Sequence, residues 1–174
     1  MSKTSVYFGG SRSLTGHWSP LIALAVERVI ASGQAVHVGC QFGADQAVIQ
    51  CCPPSSLFVF AVAPSLAKCN AHVSHAWLCG ANLTTSAGGY TASIKARYLL
   101  RSIAAFRGCS SAVFFAPGSG SLAVARECVR SGLPVFAFGT QPARVPSISG
   151  QWVASSFVGF SCWQWSAPSQ PALL

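Results

Sequence analysis

Acidic side chains are almost missing from this chain. Across 174 residues only Glu27, Asp45 and Glu127 carry a carboxylate, against eleven Lys and Arg, for a formal charge of +8. A mechanism that needs a general acid and base, such as a paired-acid glycosidase site, would have to be built from those three. Long apolar runs are also lacking. Although 51% of the residues are hydrophobic and only 8% are charged, no segment approaches the ~20 uninterrupted apolar residues of a membrane-spanning helix. The N-terminus, MSKTSVYFGGSR, reaches glycine after too short an apolar run for a secretion signal. These absences predict a cytoplasmic protein without a membrane partner. Without an export signal, the eight cysteines read as free thiols rather than a disulfide framework, vicinal Cys51 and Cys52 included. No Gly-Lys-Ser/Thr phosphate loop, Gly-x-Ser-x-Gly elbow or internal repeat is present.

What the chain does contain is a regular alternation. Val6-Tyr7-Phe8 predicts a strand running into GGSRS, and Pro20 to Ala31 a helix with Ser19 as its N-cap. Ala35-Val36-His37-Val38 predicts a second strand, followed by GCQFGAD and a helix from about Ala44 to Gln50. Leu57 to Ala61 is a third strand. Pro64 to Tyr90 lacks a clear period and reads as a long loop with at most a short helix. In IKARYLLRSIAAF, residues Ile94, Tyr98, Leu99, Ile103 and Phe106 recur at helical spacing. Ala112 to Phe115 then predicts a strand, PGSGS a turn, the segment through Arg130 a helix, and Val135 to Phe138 a last strand.

Short apolar strands bounded by Gly, Pro or Ser, alternating with helices, predict an α/β fold. The expected form is a Rossmann-like, open, doubly wound, mainly parallel sheet with helices on both faces. Residues 1–140 would form this domain. Residues 141–174, with Trp152, Phe157, Phe160, Trp163 and Trp165, would add a strand or hairpin and a flexible tail, or a contact within a homo-oligomer.

In such sheets ligands sit beyond the carboxyl ends of the strands, which gathers GGSRS, GCQFGAD and PGSGS on one rim. Backbone N–H groups at a helix N-terminus favour an anion, and glycines let it approach closely. Gly118, Ser119, Gly120 and Ser121 are therefore candidate phosphate donors, although the same stretch alone also serves as an ordinary helix start. Arg12 has the forked geometry for a phosphate or carboxylate. Asp45 either caps its helix or accepts from a ribose or base. Arg97 and Arg101, four apart, share a helix face, within a basic segment that also holds Lys95 and Arg107. Cys69, His72, His75 and Cys79 are zinc ligands by type, but their spacing does not match the separated ligand pairs of standard zinc sites.

Taken in order, GGSR, GCQFGAD, Arg101-Ser102 and PGSGS resemble the SLOG superfamily, which includes the DprA/Smf proteins, the LOG phosphoribohydrolases and the small YspA-like proteins. The YspA-like pattern, Gly-Ser-Arg, Gly-Ala-Asp, Arg-Asn and Pro-Gly-Gly-x-Gly-Thr, is the nearest, and the resemblance covers residues 5 to about 139. It implies a nucleotide or nucleotide-derivative binding protein, a sensor or sequestering module, with Gly10, Ser11, Arg12, Gly43, Asp45, Arg101 and Gly118 to Ser121 at the ligand. No cofactor is implied. Ser102 and Ser119 depart from the pattern, standing where asparagine and glycine are usual.

Two alternatives come with the resemblance. The hydrolase branch cleaves the bond between base and ribose 5'-monophosphate with an Arg and a Glu placed three residues after its glycine loop. That position is Val124 here, and Glu127 follows one helical turn later, so Glu127 would be the catalytic residue of a LOG-type enzyme. A DprA-like protein would instead take single-stranded DNA as partner, in keeping with the basic charge.

Overall fold

The computed structural model describes residues 4–90 and 93–167, and the flexible tail expected after them lies outside that range. Eight strands make one sheet in the order β4-β3-β2-β1-β5-β6-β8-β7. They are β1 (Ser5–Gly10), β2 (Ala35–Val38), β3 (Leu57–Phe60), β4 (Asn82–Thr84), β5 (Ser111–Phe115), β6 (Val135–Phe138), β7 (Gln151–Phe157) and β8 (Phe160–Ser166). The helices are α1 (Ser19–Ala31), α2 (Ala44–Cys51), α3 (Ala71–Leu78), α4 (Ile94–Phe106) and α5 (Ser119–Arg130). Strands β1 to β6 pair in parallel. The aromatic C-terminal segment forms the antiparallel hairpin β7–β8, whose β8 extends the sheet beside β6.

Period-two alternation along buried strands divides the core. Val6 and Phe8 face α1, α2 and α3, together with Val36, Val38 and Phe115. Tyr7, Ala112 and Phe114 face α4 and α5. The fold is thus doubly wound. From β1 the chain moves outward through β2 to β4, and from β5 it moves the opposite way through β6. The loops after β1 and β5 diverge at that switch point, leaving a crevice between them.

Three local expectations are corrected. Residues 64–90 are not a structureless loop: they hold α3 and β4. Helix α3 buries only Val73 and Ala76, too little apolar surface to produce a clear helical period. Strand β4 has three residues and an exposed, half-buried, exposed pattern, because it pairs only with β3 at the sheet edge. Ser19 is not a cap: a short 3-10 turn over Gly16–Trp18 leads directly into α1, and Ser19 already has helical dihedrals. Asp45 makes no cap hydrogen bond at the start of α2 either. Its carboxylate pairs with Arg101 instead.

The eight cysteines are free. Among the described residues, no helix is long and apolar enough to cross a membrane.

Candidate functional site

A cleft of about 860 Å³ opens at the switch point. One wall is the loop after β1, which contributes Gly10, Ser11, Arg12 and Ser13; the facing wall is the first turn of α5, with Gly118, Ser119, Gly120 and Ser121. Helix α4 lies across it with Ile94, Lys95, Tyr98, Leu99, Arg101 and Ser102. Gln41 and Asp45 enter from the β2 side.

Hydrogen bonds lock these loops together. The Ser11 N–H donates to the Phe115 carbonyl at 3.0 Å, and the Ala44 N–H donates to the Ser11 carbonyl at 3.0 Å. The Ser121 hydroxyl donates to the Gly10 carbonyl at 2.7 Å. Ser121 therefore ties α5 to β1 with its side chain and can offer a ligand its backbone. Gly43 does not line the cleft. At φ +76° its Cα lies against the carbonyls of Ser11 and Arg12, where a Cβ would collide with the backbone. Its glycine lets the loop after β2 pass under the loop after β1.

The first turn of α5 is an open donor. Gly118 stands at its N-cap without a side-chain cap bond, so the amides that follow keep their hydrogen-bonding capacity for an incoming anion. Ahead of it, Ala116 takes a left-handed conformation at φ 42°, which turns the chain sharply from β5 toward α5 at a cost of order 1–3 kcal/mol.

Arg101 is buried and ion-paired. Its Nη1 donates to Asp45 Oδ2 at 3.3 Å, and the two side chains are 5% and 7% exposed. Asp45 also accepts the Gln41 N–H at 3.0 Å. Burial works against the charged guanidinium, but the Asp45 carboxylate offsets it, and Arg101 is held protonated, above its ordinary range. Arg101 Nε is buried with no hydrogen-bond partner, an unsatisfied donor of the kind that ordinarily costs ~1–3 kcal/mol. Burial also raises the Tyr7 hydroxyl far above the usual phenol range, so it stays protonated.

The remaining candidates separate. Arg12 and Lys95 are exposed at the mouth. Arg97 does not join Arg101 in the cleft: its Nε donates to the Gly89 carbonyl at 3.1 Å and its Nη2 to the Val62 carbonyl at 3.3 Å. It pins the loop before α4. Glu127 does not line the cleft. It accepts from Arg126 Nε at 2.7 Å and Arg130 Nη1 at 3.2 Å along its own helix, whereas Val124 does line it.

The structure does not gather the Cys/His group into one ligand set. His72, His75 and Cys79 line a second cavity of about 690 Å³ between α2 and α3. His75 Nε2 and Cys79 Sγ are 3.7 Å apart, the Cys69 thiol donates to the Ser65 carbonyl, and the His72 ring packs on Phe42. Among the described residues, no group of three or more His, Cys, Asp or Glu is placed to hold a metal ion.

The sequence reading missed Tyr7, Gln41, Tyr98, Leu99 and Phe114 in the walls, and Gly39 behind them. A Cβ on Gly39 would fall on the Arg101 guanidinium. The signal was a glycine at the C-terminal end of β2, but its reason lies in α4.

Comparison with known proteins supports the fold. No protein-family model and no curated protein matches the chain. Among solved structures it is similar to DNA processing protein A (DprA) from Streptococcus pneumoniae, with a TM-score of 0.64 and 16% identity over 83% of this chain and 52% of that one. It is also similar to DNA processing protein A from Helicobacter pylori, whose structure concerns a single-stranded DNA binding mode, with a TM-score of 0.66 and 16% identity over 83% of this chain and 68% of that one. The chain thus spans about half the length of the first protein and about two thirds of the second. What they share with it is a DprA-like Rossmann-type architecture.

Proposed function

We propose that the switch-point cleft binds a phosphorylated, nucleotide-like ligand, as a SLOG-type sensor or sequestering module would. The observation that carries this reading is Arg101. A guanidinium 5% exposed, with an orphaned Nε, forms part of the same cleft as an uncapped helix N-terminus. An anion placed there would meet the α5 amides and the Arg12 side chain, and would satisfy a donor that folding leaves unpaired. Hydrolysis is not part of the proposal, because Glu127 is engaged along α5 and Val124 occupies the wall. Calorimetric titration with nucleoside 5'-monophosphates tests it. Arg101→Ala should weaken binding about tenfold or more, since charge-assisted hydrogen bonds contribute roughly 1.5–3 kcal/mol; unchanged affinity would sink the assignment.

A second reading, single-stranded DNA, has its own observation. Phe42 and Tyr90 are 58% and 80% exposed, on the loops after β2 and β4, while Arg12 and Lys95 are exposed at the cleft mouth. Tyr90 also carries the Arg97 guanidinium 5.9 Å from its ring centroid, and exposed rings together with cations suit stacked bases and a phosphate backbone. This reading also agrees with the DNA-binding described for the H. pylori neighbour. Oligonucleotide binding should then fall steeply with salt and with Tyr90→Ala. Absence of binding at low salt would remove it.

A further inference from the structure

We infer that β7 is a docking edge for a second copy of this chain, the two strands pairing antiparallel across a two-fold axis at Ala154 and joining both sheets into one. The contact uses no residue of the switch-point cleft. The sheet has two edges, β4 and β7. Strand β4 has three residues, the very short kind of edge that resists further pairing. Strand β7 has seven, with no proline, glycine or charge among them. Natural sheets blunt a long edge with lysine, proline or a bulge. This chain has eleven Lys and Arg to place, yet from Val145 to Leu174 it places none, and no Asp or Glu either. The register of β7 with β8 runs unbroken from Gln151 to Phe157, so no bulge bends the edge away.

The hairpin turn fixes which groups face outward. Phe157 and Phe160 are paired across a two-residue loop, Val158 and Gly159, with positive φ at both positions (47° and 89°), as in a type I′ turn. The residues flanking such a loop exchange hydrogen bonds, and bonded and non-bonded positions alternate along an antiparallel pair. Gln151, Val153, Ser155 and Phe157 therefore bond to β8, while the backbone N–H and C=O groups of Trp152, Ala154 and Ser156 point away from it. Among the described residues, no strand or loop backbone pairs with those outward groups, and Ala154 and Ser156 are exposed.

The outward set is self-complementary because it is centred on Ala154. A two-fold axis there brings Ala154 opposite its own counterpart and Trp152 opposite the counterpart of Ser156. Every outward N–H then meets an outward C=O, for about six interchain hydrogen bonds. Such a contact uses the same patch on both copies and closes at a dimer. No pair along it sets like charges against each other, so two chains of charge +8 can approach at this edge without the repulsion they meet wherever bases face bases. The chain's own C-terminus suits the edge poorly. Pro168 and Pro171 are three positions apart, so in an extended strand one of them would turn its missing N–H toward β7.

Sedimentation of the full chain between about 1 µM and 1 mM, a range that brackets a weak contact, tests the assignment. The wild type should pass from monomer to dimer. Amide hydrogen exchange at Trp152, Ala154 and Ser156 should slow as concentration rises, while Val153 and Ser155, already bonded to β8, should not change. Ala154→Pro removes an outward N–H where an edge strand tolerates proline, and should weaken the dimer roughly 5- to 150-fold through the two bonds lost at the axis. Ala154→Lys leaves the backbone intact, sets like charges opposite each other and should weaken the dimer as well. A monomer across the whole range would overturn the inference, and so would a dimer that Ala154→Lys leaves undiminished. Growth beyond a dimer would overturn the two-fold. Exchange at the three amides that is already slow in dilute monomer would mean that the chain covers its own edge, and would overturn the second copy as its occupant.

Discussion

The switch-point cleft and the cavity between α2 and α3 are of comparable size, about 860 and 690 Å³, yet they differ in what lines them. The first holds three cations, one carboxylate and the N-terminal turn of α5. The second has no Lys, Arg, Asp or Glu in its lining and is formed by the flanks of two helices packed on one face of the sheet. Volume alone would rank them together. Topology separates them, because only where connections leave the sheet in opposite directions do loops diverge and helix N-termini converge on open space.

The strongest way to break this contrast is to fill the one position that lets Arg101 reach the cleft. Gly39→Ala would place a methyl group on the guanidinium and against the Asp45 carboxylate. Expelling Arg101 strands a buried charge, for which the expected loss is roughly 3–5 kcal/mol in urea unfolding, together with anion binding. A protein of unchanged stability would mean that Arg101 has another seat. Next in size is Arg101→Ala, which leaves Asp45 buried and unpaired and should cost about 3 kcal/mol or more. Adding Asp45→Leu to Arg101→Met should restore most of that stability without restoring binding. If the double variant binds phosphate ligands normally, the cleft does not depend on this pair.

Much of this contrast was legible in the sequence, but not its decisive part. Five of the six parallel strands announce themselves as apolar runs, because a strand buried on both faces has no choice of residue type. The sixth, β4, has a single partner and no such constraint. Arg97 and Arg101 look equivalent at a spacing of four. The helix nevertheless passes from solvent into the core between them, so the first finds loop carbonyls and the second a carboxylate 56 positions away. Gly39 carries no motif because its role is defined by that same distant guanidinium. Local chemistry was readable; which local pieces meet was fixed by the crossover of the sheet.

Acid should expose the uncharged side of the comparison, with a smaller effect. Burial lowers the proton affinity of His72, in the α2–α3 cavity, and of His37, packed between Phe58 and Phe60. Both are therefore more easily protonated in the unfolded chain. Their contribution is fully present above the ordinary imidazole value of ~6.5 and is lost as pH falls below it. Tm should drop between pH 7.5 and 5.5, and His72→Asn should flatten part of that drop. A slope unchanged by His72→Asn would remove the cavity from the acid response.

The smallest expected effect belongs to Glu127→Gln, and it bears most directly on whether the cleft performs chemistry. Glu127 is 20% exposed and shared between Arg126 and Arg130, so its neutralisation should cost about 0–1 kcal/mol, as for other surface pairs. Binding of a monophosphate should not change, because α5 lines the cleft only as far as Val124. Chromatography for free base after incubation with adenosine 5'-monophosphate supplies the other half of the test. Base release that disappears in Glu127→Gln would mean that α5 rotates or unwinds enough to bring its carboxylate about one turn forward (~5 Å), and the cleft would then be catalytic. Without such release, the scarcity of acids in this chain and the apolar wall of its cleft have the same consequence. The one carboxylate in the lining of the cleft is already committed to an arginine, so no unpaired carboxylate stands there to take the part of general acid or base.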